Sequence, residues 1–181
     1  MAEGRASGPA HRRVDIRRDL ESARSGFHAL VRLAEREGWR QPSRNPGWTN
    51  GEVLFHIALA FFLVAPLYGM IRVWARLPAG GSRGFAGILN LGTRLFNTVN
   101  GIGPRFAARV LTPSRLATLY DATHRSILHL VDSVGENDWS LGMYYPDRWD
   151  SLFESFMTVE SLFHYPVKHL QFHRAQLAAG L

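Results

Sequence analysis

From Asp15 to Glu37 the apolar residues Ile16, Leu20, Ala23, Phe27, Leu30, Val31 and Ala34 recur at spacings of three and four. That is one face of an amphipathic helix, and Gly38 supplies a stop. The loop QPSRNPGW follows, where two prolines exclude regular structure. A second helix is predicted to start near Asn50, because Thr49 and Glu52 form a capping box ahead of an apolar run. It should reach about Arg76, with a kink at Pro66. Pro113 opens a third helix, with Leu116, Leu119, Tyr120, Thr123, Ile127, Leu130, Val131 and Val134 as its stripe and Gly135 as its end. The last helical region is predicted over Leu152 to Ala178, interrupted near Pro166.

Two stretches lack a clean period. Residues 78–112 begin Gly-rich and then hold short apolar pieces, which predicts one or two short helices over the bundle end. Residues 136–154 are rich in aromatics and read as a loop. Four main helices and no strand alternation predict an all-α fold, an antiparallel four-helix bundle with extra short helices in the connection between helices two and three. Residues 1–13 are expected to form a flexible basic arm and 14–181 a single helical-bundle domain, long enough to bury a core without disulfides.

The second helix also needs a membrane test. Residues 53–71, VLFHIALAFFLVAPLYGMI, carry no formal charge over a length close to the roughly 20 residues that span a bilayer. His56 and Pro66 within it, Asn50 and Glu52 just before it, and the lack of a second such span argue against crossing. The central helix of a bundle gives the same signature, and peripheral membrane contact stays open.

Composition narrows the chemistry. The chain has no Cys, which excludes disulfides, thiolate zinc sites and cysteine nucleophiles and fits a reducing cytoplasm, the expected location. The N-terminus has basic residues but no apolar segment after them, unlike a secretory signal. The formal charge is +6. Arg5, Arg12, Arg13, Arg17 and Arg18 against Glu3 and Asp15 place +3 of it in residues 1–18. The remainder reads as spread along the chain, with Lys168 the only lysine. No basic stripe with aromatic or amide readers stands out, so no specific nucleic-acid binding is expected. There is also no Ser-His-Asp pattern, phosphate loop or dinucleotide fingerprint.

Eight histidines remain as candidate chemistry. His169 and His173 are four apart, so on a helix both imidazoles can reach one ion from the same side; on spacing alone, two solvated or core-edge histidines explain them as well. Leu170 stands where a zinc-protease helix carries its general-base Glu, which removes that reading. His164, five residues before His169 with Pro166 between, is about 140° around the helix and a poor partner. His124 and His129 share that awkward spacing, His28 flanks the first stripe, and His11 lies on the arm. His56 differs, set among Leu54, Phe55, Ile57 and Leu59. Burying an unpaired imidazole there costs roughly 2–7 kcal/mol, so it needs a partner. A carbonyl, a carboxylate, or a metal shared with His169 and His173 would serve equally.

GWTNGEVLFHIA, residues 47–58, resembles the W-S/T-x-x-E-V-x-x-H-L/I signature of the DinB/YfiT-like family. HLQFHRAQL, residues 169–177, resembles that family's late H-x-x-x-H-R-x-Q-I/L motif. The two lie in the family's order within a four-helix pattern, so the resemblance covers nearly the whole chain. It implies a four-helix bundle binding a divalent metal through His56, His169 and His173. Trp48, Glu52, Arg174 and Gln176 match the rest of the motifs, and Ala175 stands where Gly is frequent. Residues 78–112 have no counterpart in the shortest members.

Three imidazoles would leave an ion its full charge and an open position, able to activate water, a carbonyl or a thiol. Zn²⁺ suits this set best, with Ni²⁺, Fe²⁺ and Mn²⁺ as alternatives. Glu52, one turn before His56, could orient it or serve only as a cap. Tyr120, Asp121, Tyr144 and Tyr145 could donate protons or be structural, and no catalytic base is assigned. The resemblance further implies hydrolysis or thiol-dependent transfer or isomerisation, and a homodimer. The expectation is therefore a metal-dependent hydrolase or thiol-dependent transferase acting on a small molecule, with a low-molecular-weight thiol as a candidate partner. The alternative is a non-catalytic bundle that binds a ligand or partner, associated with the membrane surface.

Overall fold

The structure, a computed structural model, describes residues 9–177. The elements run α1 (Pro9–Glu37), α2 (Asn50–Trp74), α3 (Ala79–Leu91), α4 (Thr93–Val110), α5 (Pro113–Ser133), β1 (Gly142–Tyr144), β2 (Phe156–Thr158) and α6 (Val159–Arg174). Helices α1, α2, α5 and α6 make the bundle, and α2 touches all five other helices; α4, in the connection predicted to hold only short helices, has 18 residues against 16 in α6.

The first stripe packs as its period predicts. Ile16, Leu20, Ala23, Phe27, Leu30, Val31 and Ala34 are all buried. The helix begins earlier than expected, however, so residues 9–13 of the predicted arm are helical; residues 1–8 lie outside the described residues. Arg12, Arg13 and Arg17 pair with Glu160, Glu136 and Asp132 across the bundle, which gives the basic start of the helix something to hold.

Thr49 and Glu52 form the capping box. Thr49 N–H donates to Glu52 Oε2 at 2.6 Å, and Glu52 N–H donates to Thr49 Oγ1 at 3.3 Å. The helix then continues through Pro66 without a break. Val53, Leu54, Ile57, Phe61, Val64 and Ile71 are fully buried. By length and composition α2 could cross a membrane, but 50% of its most apolar window is buried inside the bundle. It packs against all five other helices, while Ala65, Pro66, Gly69 and Val73 face outward.

Three expectations are corrected. Leu119, placed on the third stripe, is 45% exposed, while His124 is buried there instead. The last helix starts at Val159 rather than near Leu152 and runs unbroken through Pro166, whose ring is buried and whose lost hydrogen bond is local. A small antiparallel ladder also exists, pairing Met143 with Met157 between Gly142↔Thr158 and Tyr144↔Phe156. Gly142 is required there, since a Cβ would meet the Met157 carbonyl oxygen at 2.6 Å. Strands of three residues are too short to show alternation.

Candidate metal centre

α2 and α6 pack side by side, and this contact brings His56 to His169 and His173. The ring centroids are 4.8 Å apart for His56 and His169, 4.6 Å for His56 and His173, and 4.3 Å for His169 and His173. One ring nitrogen of each lies within 4.8 Å of the others, a group that could hold a metal ion. Tetrahedral nitrogens bound at 2.0–2.1 Å sit about 3.4 Å apart, so small ring movements close the set. His164, on the same helix, is not part of the group.

The rings sit in surroundings that keep them uncharged. Burial, and then repulsion from His173, pushes the His56 pKa down to about 4. His169, almost fully buried beside both other rings, is lowered further, and burial also lowers His173. A neutral imidazole is the metal-ligating form.

The hydrogen bonds give the test of fit. His56 Nδ1 and His169 Nδ1 are buried with no hydrogen-bond partner, an unmet demand that a bound cation would satisfy. His173 Nδ1 pairs with Gln176 Oε1 at 2.8 Å. Because that oxygen can only accept, the ring donates, and His173 Nε2 is left with a free lone pair. Gln176 thus does for His173 what Glu52 was a candidate to do for His56. The Glu52 carboxylate is taken up by the helix cap. Trp48, from the same motif, packs edge-on against His56 at 5.3 Å.

His56 and His169 form part of the wall of a cavity of about 130 Å³. Leu59, Leu63, Leu67 and Met70 continue one face of α2 away from His56, and Leu89, Phe96 and Asn100 close the other side from α3 and α4. The connection at 78–112 therefore forms two helices whose inner face roofs this cavity. Phe96 stacks on Trp149 at 4.2 Å and 13°, tying that roof to the loop before β2.

Polar groups at the cavity are few. Asp150 Oδ2 accepts from the Tyr165 hydroxyl at 2.7 Å and lies 3.7 Å from His169 Nε2. Its Oδ1 accepts from the Leu152 N–H at 2.8 Å. Tyr145, one of the sequence candidates, lines the cavity with its hydroxyl buried and without a partner. The other candidates lie elsewhere. Tyr120 is a core ring stacked on Phe27, Asp121 binds Arg24 and His28, and Tyr144 binds Arg83. Sequence reasoning misses Asp150, Tyr165 and Asn100 because loop and inner-face positions carry no periodic signal; Trp149–Asp150 within an aromatic-rich loop is the nearest hint.

A helical bundle in which two helices join three imidazoles, two of them in the wall of one apolar cavity, belongs among the bundles with a three-histidine group able to hold a metal. The chain is a member of the DinB superfamily, which it matches over residues 19–177, a span that takes in both histidine motifs. No curated protein and no solved structure gives a significant match.

Proposed function

We propose that this protein is a divalent-metal-dependent enzyme acting on a small, largely apolar molecule, by hydrolysis or by transfer involving a low-molecular-weight thiol. The observation that carries this reading is the pair of buried, unpartnered Nδ1 atoms of His56 and His169 beside His173, at the wall of an apolar cavity. Zn²⁺ fits three neutral imidazoles best, and Ni²⁺, Fe²⁺ or Mn²⁺ share the same ligand chemistry. The ion would supply Lewis-acid activation of water, a thiol or a carbonyl.

The chain's own residues have separable roles. Gln176 holds His173 in the tautomer that leaves Nε2 free. Asp150, anchored by Tyr165, is placed to accept a proton at the cavity edge. The Tyr145 hydroxyl can donate to a polar group of the substrate, while Leu59, Leu63 and Phe96 exclude water and take up its apolar body.

Metal analysis of protein purified without a histidine tag tests this directly. Wild-type protein should carry or take up one divalent ion per chain. Separate His56→Ala, His169→Ala and His173→Ala changes should each abolish that uptake, and His164→Ala should leave it intact. A wild-type chain that neither carries nor gains metal on titration overturns the reading. The loaded protein, assayed with apolar esters and with an apolar electrophile plus a thiol, separates hydrolysis from transfer.

A further inference from the structure

The exposed side chains of α4 form an unusual outer face. Leu95 is 70% exposed, Ile102 58%, Phe106 68% and Val110 55%. At about 100° per residue these four fall within roughly 80° of one another along the helix. Ile88 and Leu91, 67% and 84% exposed, extend the apolar surface from the end of α3. Single exposed apolar residues are ordinary, whereas a contiguous row marks an interaction surface.

Charge identifies what the row faces. Between Glu52 and Asp121 the chain has no acidic residue and seven arginines: Arg72, Arg76, Arg83, Arg94, Arg105, Arg109 and Arg115. That segment alone is +7 against +6 for the whole chain, so everything outside it sums to −1. The positive excess is thus concentrated, not spread. All seven arginines are exposed. Among the described residues none of them lies within salt-bridge distance of a carboxylate, whereas Arg12, Arg13, Arg17 and Arg18 in α1 are all paired. On α4, Arg94, Arg105 and Arg109 flank one side of the apolar row.

We infer that the outer face of α3 and α4 docks on the surface of an anionic lipid bilayer, with Leu95, Ile102, Phe106 and Val110 entering the interface and Arg94, Arg105 and Arg109 contacting lipid phosphates. Amphipathic helices bind membranes by this combination of buried apolar area and basic residues. A second copy of the chain fits less well, because self-association through this face brings together arginines that have no carboxylate to meet. Nucleic acid has no use for four exposed aliphatic and aromatic side chains in a row. The inference does not depend on the metal. It does place the roof of the cavity, formed by the inner side of the same helices, directly beneath the lipid-facing surface.

Vesicle co-sedimentation of the full chain tests it, using phosphatidylglycerol–phosphatidylcholine vesicles and pure phosphatidylcholine vesicles. The wild type should sediment with the anionic vesicles, less so as salt rises, and not with the neutral ones. Each lost arginine contact should weaken binding about fivefold, so Arg105→Glu with Arg109→Glu should weaken it by about 25-fold or more. Ile102→Ser with Phe106→Ser should also abolish most binding, and Arg125→Glu on α5 should change nothing. These are surface sites, and unchanged thermal melts will show that the variants fold. Failure to bind anionic vesicles overturns the proposal, as does equal binding to neutral ones or binding unaffected by either double variant. It is also overturned if the Ile102/Phe106 variant instead converts a dimer to a monomer, or if the face binds duplex DNA or RNA in place of vesicles.

Discussion

Replacing His56 with Leu should make the metal-free protein less sensitive to acid. His56 has an ordinary pKa of 6.5 when unfolded and about 4 when folded, because burial disfavours its cation. The unfolded chain therefore binds the proton more readily between those values, and acid drives unfolding. The stability contributed by the neutral ring is intact above about pH 6.5 and is lost as pH falls toward 4. Taking 1.36 kcal/mol per unit, the loss between about pH 7.5 and pH 5 comes to about 2 kcal/mol. For a chain of this size that corresponds to a Tm change of about 4–8 °C.

The assay is thermal melting of chelator-treated wild type and His56→Leu at both pH values. Carboxylates and other histidines titrate in both proteins, so the comparison isolates this ring. Leu also removes the repulsion that His56 exerts on His169, which moves the result in the same direction. The wild type should lose about 4–8 °C more than the variant on acidification. Equal losses in the two proteins would refute the claim that His56 is held neutral by burial.

Gln176→Leu should leave the metal-free fold intact but weaken metal binding about 10–100-fold, the usual cost of losing an orienting partner, as read by competition with a chromogenic chelator. Leu63→Trp should block the cavity, abolishing uptake of an apolar fluorescent probe while metal content stays at the wild-type level. Gly51→Ala should cost about 1–3 kcal/mol in urea unfolding, because its Cβ would lie 2.5 Å from the Trp39 indole.

What can be read from the sequence depends on whether the signal is local. The α1 stripe and the Thr49–Glu52 cap are written within a few residues of each other, and both stand as predicted. Proline carries too much weight at position 166, since a helix packed into the core there tolerates one missing hydrogen bond. The first cavity-roof helix is poorly legible because Gly80, Gly81, Gly84 and Gly87 hide its helical period, and the element it packs against most, β1, lies about sixty residues further on. From the residues themselves His56 is flagged by desolvation alone, and no spacing rule connects it with residues more than a hundred positions later; only the resemblance of its motif to the DinB/YfiT-like family makes that link. Asp150 carries no such flag. Its meaning arises only when Tyr165 and His169 arrive beside it from α6.

The same desolvation argument bears on how folding and metal binding are linked. A buried polar atom without a partner costs about 1–3 kcal/mol, and the centre holds two such atoms, His56 Nδ1 and His169 Nδ1. Against a total stability of about 5–15 kcal/mol for an ordinary domain, that is a substantial share. A bundle selected for stability alone would place leucine at position 56, on the helix that touches every other helix. Keeping imidazoles there makes sense when something else binds them in the folded state only, because that ligand's binding energy then adds to folding. A metal bound there would thus turn a local cost of the empty core into a contribution to the stability of the loaded one.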